Sequence, residues 1–288
     1  MRLFVFGVGY SSTAFIEKVR DRCEWIGGTT RSREKAEKLK AKGIEPFLFD
    51  GAQKSDELVE ALRSATHVLV SIAPDEAGDP VLLHHKDDVA AARPQWTGYL
   101  STVGVYGNHD GAWVDEDTPC KPVSKRSIQR VAAETAWLQF AVECGLPVQI
   151  YRLSGIYGPG RNTFENFRKG TARRLIKDGQ VFNRIHVDDI AGALEASLAS
   201  PTTRVYNITD DEPAPPQDVV SFAAELLGAT PPPEVAFEDA DLTPMARSFY
   251  GENKRVSNKR MKNELGYNLA YPSYKPALIE LLKNYTDT

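Results

Sequence analysis

Apolar residues fall along the chain in short runs that alternate with stretches of helical character. Arg2 to Phe6 is a compact apolar run closed by Gly7, which predicts a buried strand, and Ser11 to Arg20 then carries helical spacing. Glu24 to Gly28 is β-prone and precedes Ser32 to Lys42, a charged stretch suited to an exposed helix. Ile44 to Asp50 reads as strand and Glu57 to Arg63 as helix. His67 to Ile72 is a strong buried-strand signal, and Gly98 to Thr102 is a further strand. Strands alternating with helices predict βαβ units and a parallel sheet.

The longest predicted helix, Ser124 to Cys144, is apolar on two sides. Ile128, Val131, Ala132, Leu138 and Val142 form one stripe, with Thr135 its polar member; Ala133, Trp137, Phe140, Ala141 and Cys144 form the other. The second stripe is read as a homodimer interface through the helix carrying Trp137 and Phe140. Its alternative is contact with the protein's own C-terminal lobe. Pro147 to Leu153 and Val205 to Thr209 are late strands. Two Pro-rich segments, Glu212–Pro216 and Thr230–Pro233, bracket a helix over Asp218 to Leu227, and a final helix runs near Pro276 to Lys283. The expectation is one α/β unit over 1–288. A Rossmann doubly wound parallel sheet occupies about 1–155, and a smaller C-terminal substrate lobe, interleaved with late sheet elements, occupies about 156–288.

With 42% hydrophobic residues in 288, the chain can bury a large core. A net charge of −4 gives no electrostatic reason to expect nucleic acid or a membrane surface as partner, so a small-molecule substrate fits better. Three separated cysteines (Cys23, Cys120 and Cys144) form no CxxC pair, which is compatible with a reducing, cytoplasmic location. No stretch approaches the roughly 20 apolar residues of a membrane span. The opening MRLFVFGVGY is too short in its apolar part for a leader and is better read as strand and turn.

Gly7-Val8-Gly9-Tyr10-Ser11-Ser12 follows the first strand and opens the first helix. A dinucleotide site needs this order: a glycine for the turn, a glycine for close approach of the pyrophosphate, and a small residue where helix meets strand. Ser12 takes the last position. NAD-binding folds place an acid about 20 residues further on, to accept from the ribose 2′-OH. Here Thr30-Arg31-Ser32 stands in that region with no acid, and these residues suit a 2′-phosphate, so NADP is expected over NAD. Asp50 is expected on the adenine side, with Ser71, Ile72 and Ala73 beside the cofactor.

Later motifs point to a family. Ser101-Thr102-Val103-Gly104-Val105-Tyr106-Gly107, Arg152 through Arg161 (RLSGIYGPGR), Arg184 through Ile190 (RIHVDDI), Tyr206-Asn207-Ile208 and Asn258 through Gly266 occur in family order. Together they resemble the extended short-chain dehydrogenase/reductases, the NAD-dependent epimerase/dehydratase-like group. That resemblance implies an NADP(H)-binding oxidoreductase or epimerase-like enzyme, with Ser101 near the cofactor. It also implies a Ser or Thr, here Thr102, and a Tyr-x-x-x-Lys pair. The departure lies at that pair: its positions hold Arg126 and Arg130, while Glu134 matches the following Glu. Arginine has no acceptor and keeps its proton, so Arg126 cannot replace an acid–base tyrosine.

The remaining candidates each carry two readings. Arg126 and Arg130 share a helix face, as an anion clamp or as a solvated face with Arg130 paired to Glu134. Tyr106 is a proton donor or a pocket wall, and Thr102 a substrate contact or a turn cap. Tyr157, Arg161 and Asn162 are expected at the substrate pocket by resemblance. No metal site is expected: His186, Asp188 and Asp189 read as structural, and His84-His85 with Asp87-Asp88 as a polar helix surface. No GxSxG elbow supports hydrolysis. Two functions follow, an NADP(H)-dependent enzyme lacking Tyr-Lys catalysis and a non-catalytic NADP(H)-sensing protein.

Overall fold

The computed structural model describes residues 1–285. Its main sheet is built from β1 (Arg2–Phe6), β2 (Trp25–Thr30), β3 (Glu45–Leu48), β4 (His67–Val70) and β5 (Trp96–Thr102). After the short β6 (Trp113–Val114) comes β7 (Val148–Leu153), and then β8 (Gly155–Tyr157), β9 (Arg174–Ile176) and β10 (Arg184–His186). Strands β11 (Arg204–Ile208), β12 (Glu234–Ala236) and β13 (Arg255–Val256) complete the set. The order across the sheet is β3-β2-β1-β4-β5-β7-β11, and every pair is parallel. This is the doubly wound α/β arrangement expected. Order reverses between β1 and β4, so a crevice opens at their carboxyl ends, where such folds bind ligands.

The helices are α1 (Tyr10–Val19), α2 (Arg33–Ala41), α3 (Asp56–Arg63), α4 (Pro80–Ala92), α5 (Lys125–Cys144) and α6 (Thr163–Arg168). The later ones are α7 (Val187–Ser197), α8 (Pro216–Leu227), α9 (Pro244–Phe249), α10 (Lys259–Leu265) and α11 (Tyr274–Leu282). Side chains on a strand alternate between faces. Leu3 and Val5 accordingly join Phe15, Ile16, Ile190 and Leu194 of α1 and α7 on one side, while Phe4 and Phe6 join Leu58, Val81, Val89, Trp137 and Phe140 on the other. The chain beyond residue 155 thus returns α7 and β11 to the sheet. The smaller lobe has its own core of Tyr157, Phe164, Val219, Ala223, Tyr274 and Leu278, and β8–β10 and β9–β12 form parallel pairs around it. Among the described residues no helix is long and apolar enough to cross a membrane.

The structure corrects the reading of α5. Ala133, Trp137, Phe140 and Ala141 are buried against the molecule's own sheet, Trp137 completely, beside Tyr99, Val148 and Ile150. A face packed into its own core is not available to a second chain, so Trp137 and Phe140 themselves offer no exposed contact surface. The exposed side of α5 is the other stripe, where Ile128 and Val142 face solvent.

The polar-surface reading of His84-His85 also fails in part. His85 is fully buried in α4, next to Phe6 and Phe49, and its Nε2 accepts from the Ser55 N–H at 3.4 Å. The sequence reading sets no bounds for the helix at His84 to Asp88, although Asp79-Pro80 is a helix-start signal; Asp79 Oδ1 accepts from the Val81 and Leu82 N–H groups. His186 and Asp189 are structural. The His186 ring caps α7, and the Asp189 carboxylate accepts from the Tyr267 O–H and from the N–H groups of Ala270 and Tyr271 at 2.7–3.0 Å.

Candidate functional site

Two adjoining cavities open at the carboxyl ends of the strands. The first, of about 440 Å³, lies over β1, β2 and β4, and its walls include Gly7, Gly9, Thr30, Arg31, Ser32, Asp50, Ser71, Ile72 and Ala73. Val8, Thr29, Lys35, Phe49 and Pro80 also line it and were not foreseen.

The glycine loop is built for close approach. Gly7 sits at φ +84°, and a Cβ there would stand 2.5 Å from Ile72 Cγ2, so both backbone and space require glycine. Gly9 precedes α1 in extended geometry, and a Cβ there would meet nothing nearer than 3.9 Å. The space over the helix N-terminus is therefore open, as an approaching pyrophosphate needs. Ser12 is fully buried and does not reach either cavity. Its hydroxyl accepts from the Gly9 N–H at 2.7 Å and donates to Gly7 O at 3.0 Å, so it holds the loop in shape.

At the end of β2, Thr30 is buried while Arg31 and Ser32 are exposed, and Ser32 caps α2 by accepting from the Lys35 N–H at 3.3 Å. Arg31 makes no ion pair among the described residues. The Lys35 ammonium donates to Val8 O, bringing a second cation to this rim. No acid stands among the wall residues from β2 and α2; Asp50, on the loop after β3, accepts from the Ala52 N–H at 2.9 Å. Loop, open approach and rim fit a dinucleotide.

The second cavity, of about 520 Å³, shares Ser71 with the first and lies between the ends of β5 and β7, the start of α5 and the segment 248–254. Ser11, Ser101, Thr102, Arg126, Arg130 and Arg161 line it among the expected residues. Ser11 and Ser101 thus belong to this side rather than to the first cleft. The Ser101 hydroxyl is spent on Glu134 Oε1. Thr102 does both things expected of it: it lines the cavity, and its Oγ1 accepts from the Gly104 N–H at 3.1 Å.

Tyr10 is displaced from the first cavity. Its hydroxyl donates to Pro159 O at 3.0 Å beneath the Arg161 guanidinium, so it ties the glycine loop to the 158–161 turn. Burial raises its pKa, with Arg161 opposing.

Arg126 and Arg130 do not act as one clamp. Arg126 is exposed and lies over the Phe249 ring at 5.8 Å. Arg130 donates to the Tyr99 hydroxyl at 2.9 Å and to Leu100 O at 2.8 Å. The Arg130–Glu134 pairing is also overturned, because Glu134 forms a buried ion pair with Arg152, Nη2 to Oε2 at 2.7 Å.

Tyr106 is outside the cavity and fully buried. Its hydroxyl donates to Asn207 Oδ1 at 2.7 Å and accepts from Arg152 Nη1 at 2.9 Å. Burial pushes its pKa up to about 12, although Arg152 pulls the other way. A proton donor needs a path to substrate, and Tyr106 has none. Replacing it with phenylalanine is expected to lower stability by about 1–3 kcal/mol while leaving cofactor affinity unchanged in a calorimetric titration. A loss of binding with intact stability would restore it to the site.

Tyr157 and Asn162 are likewise not in the cavity. Tyr157 is buried against His186 and donates to Ser273 O at 3.3 Å. Asn162 caps α6, accepting from the Phe164 and Glu165 N–H groups, and faces a separate hollow with Arg168 and Leu281. Of the three, only Arg161 reaches the substrate side.

Sequence reasoning missed Ser124, Ser127, Asn183, Phe249, Glu252 and Lys254, all on the cavity wall. Ser124 carried a signal as a helix cap, accepting from the Ser127 N–H at 3.1 Å. Lys254 carried none. Its Nζ is held by Gly107 O at 2.8 Å and Glu252 Oε2 at 2.6 Å, and burial pulls its pKa down against the carboxylate's opposing effect.

Residues 89–209 match the model of the NAD dependent epimerase/dehydratase family. Protein YeeZ of Escherichia coli (strain K12) is 28% identical over 286 residues, covering 94% of this chain and 96% of that one. A functionally unknown conserved protein from Silicibacter pomeroyi DSS has a solved structure that superposes with a TM-score of 0.89 at 49% identity, covering 98% of both chains. The human epimerase family protein SDR39U1 (isoform2), solved with NADPH, superposes at 0.74 over 99% of this chain and 100% of its own, at 19% identity; it shares the fold. The family match spans β5, α5 and β7, which line the second cavity, and extends through β11, and the glycine loop lies before it. Over residues 89–209 the chain is similar to the NAD dependent epimerase/dehydratase family, in a form that carries Arg126 and Arg130 where the resemblance places tyrosine and lysine.

Proposed function

We propose that the protein is an NADP(H)-dependent oxidoreductase or epimerase-like enzyme acting on a small polar, anionic substrate without the usual Tyr-Lys pair. The observation that carries this reading is the pair of joined cavities. The first offers a glycine loop and a rim of Thr30, Arg31, Ser32 and Lys35 with no acid among them, and the second stays open beyond it instead of being filled by side chains. Gly7 and Gly9 would hold the pyrophosphate, Arg31 and Lys35 the 2′-phosphate, and Asp50 the adenine side. A nicotinamide held there supplies hydride chemistry to the second cavity. Arg126 and Arg161 on that cavity favour a carboxylate or phosphate on the substrate, and its volume favours a small one. The NADPH-bound human protein of the same fold lends support to the cofactor. Free thiols at Cys23, Cys120 and Cys144 fit a reducing cytoplasm.

Calorimetric titration with NADP and NAD tests the cofactor. Arg31→Asp is expected to weaken NADP about tenfold or more, about 1.4 kcal/mol, because a carboxylate repels the 2′-phosphate, while NAD is held or gains. Equal losses for both would reduce Arg31 to a surface residue. One observation favours a second reading, a non-catalytic NADP(H) sensor: the Arg130 guanidinium is committed to Tyr99 and Leu100 O, so the lysine position has no free cation. A screen of small carbonyl acids and phosphates for NADPH oxidation separates the two.

A further inference from the structure

The reading above leaves the proton unassigned. Arg126 and Arg130 hold theirs, Tyr106 is sealed off, and the Ser101 hydroxyl is bound to Glu134. Among the described residues that line the second cavity, the amine of Lys254 and the carboxylate of Glu252 are the ordinary acid–base groups, the other titratable side chains there being Arg126, Arg130 and Arg161.

Lys254 is placed with care. Its side chain is 7% exposed, and two of its three N–H bonds go to Gly107 O and Glu252 Oε2, the third having no partner among the described residues. Gly107 ends the turn that follows β5, so the amine is fixed to the same strand end that presents Thr102. The main chain around it is pinned independently. Asn183 Nδ2 donates to Lys254 O at 2.9 Å, the Val256 N–H donates to Asn183 Oδ1 at 2.8 Å, and β13 pairs with β6.

Anchoring the segment therefore does not call for a buried ammonium, which desolvation disfavours. Two opposing effects act on it. Burial favours the neutral amine and Glu252 on its own segment favours the ammonium, while Arg126 and Arg130 from α5 and Arg161 after β8 line the same cavity. A cavity-lining amine whose pKa burial lowers gives up its proton more readily than an exposed lysine does.

We propose that Lys254, poised by Glu252, is the acid–base group of the substrate-side cavity. In the carbonyl-to-alcohol direction an Nζ–H bond breaks and an O–H bond forms at the substrate oxygen, leaving a neutral amine that water reprotonates. The matching hydride is the one a reduced nicotinamide supplies in the reading above, on which this inference rests.

The test begins on the cofactor-free protein, so it stands apart from the cofactor reading. Trinitrobenzenesulfonate, which reacts with neutral amines, is applied from pH 6 to 11, and labelling of Lys254 and of exposed Lys169 is followed by mass spectrometry. Each residue is scaled to its own high-pH plateau. Lys254 is expected to reach half-labelling at a lower pH than Lys169, and Glu252→Gln to move that midpoint lower still. If Lys254 titrates with Lys169, or stays unlabelled in the folded protein, the proposal is overturned. Lys254→Arg keeps the charge and the bond to Gly107 but cannot release a proton. It is expected to bind NADP as wild type does and to lose at least about 100-fold in turnover of any carbonyl acid found active. Retained turnover in Lys254→Arg overturns the proposal as well, whereas wild-type failure to bind NADP removes only the cofactor reading.

Discussion

Replacing Glu134 with alanine is expected to lower the unfolding free energy by about 3–5 kcal/mol, read as a fall in the urea midpoint with an unchanged slope. The side chains of Glu134 and Arg152 are 4% and 8% exposed, and three contacts between Arg152 Nε or Nη2 and the carboxylate fall at 2.7–3.2 Å. Burial disfavours Arg152's charge, but its bonds to Glu134 outweigh that and hold its pKa above the usual value. The alanine variant leaves a guanidinium in the interior with its main partner gone. The effect spreads because Arg152 also donates to Tyr106, Tyr106 to Asn207 Oδ1, and Asn207 Nδ2 to Ser257 O. This chain of polar contacts ties β5, α5, β7 and β11 together beneath the second cavity.

Removing both charges, as in Glu134→Leu with Arg152→Met, is expected to recover much of the loss, since a matched apolar pair carries no desolvation penalty. A loss below about 1 kcal/mol in Glu134→Ala would mean that water reaches the pair.

Replacing Gly9 with valine is expected to weaken NADP binding at least about 100-fold, about 2.8 kcal/mol, with the fold retained. Gly9 has φ −121°, which any residue adopts, and a Cβ there meets no atom within 3.8 Å, its nearest neighbours being Gly7 O at 3.9 Å and Ser12 Oγ at 4.0 Å. Valine at this helix cap costs on the order of 1 kcal/mol of stability. Its side chain would occupy the space over the α1 N-terminus into which a phosphate must come. Gly7→Ala provides the contrast. At φ +84° and 2.5 Å from Ile72, a methyl group there strains the turn itself, so stability and binding fall together. If Gly9→Val bound NADP within about threefold of wild type, the pyrophosphate would not lie on this loop.

How far the site was legible depended on the range of the interaction. The loop Gly7 to Ser12, the acid-free end of β2 and the walls at Asp50 and Ser71 to Ala73 follow from rules that act within one βα unit, and the structure places most of them on one cavity. Tyr10 escaped the rule because its partner, Pro159, is remote in sequence. Motif resemblance at Tyr106, Tyr157 and Asn162 located segments correctly but not their side chains, which turn inward to Asn207, Ser273 and the α6 cap.

Element order, the parallel sheet and the glycine loop are local matters. A run of apolar residues with period 2 or 3.6, a turn that needs glycine and a helix cap are each satisfied by neighbours in the chain. The faces of α5, the partner of Glu134 and the wall carrying Lys254 are not. Trp137 and Ile128 are both apolar, and only the packed sheet separates the buried side from the open one. Lys254 reads as one lysine among many until the fold brings Gly107 and Glu252 to its amine and buries it, which lowers its pKa.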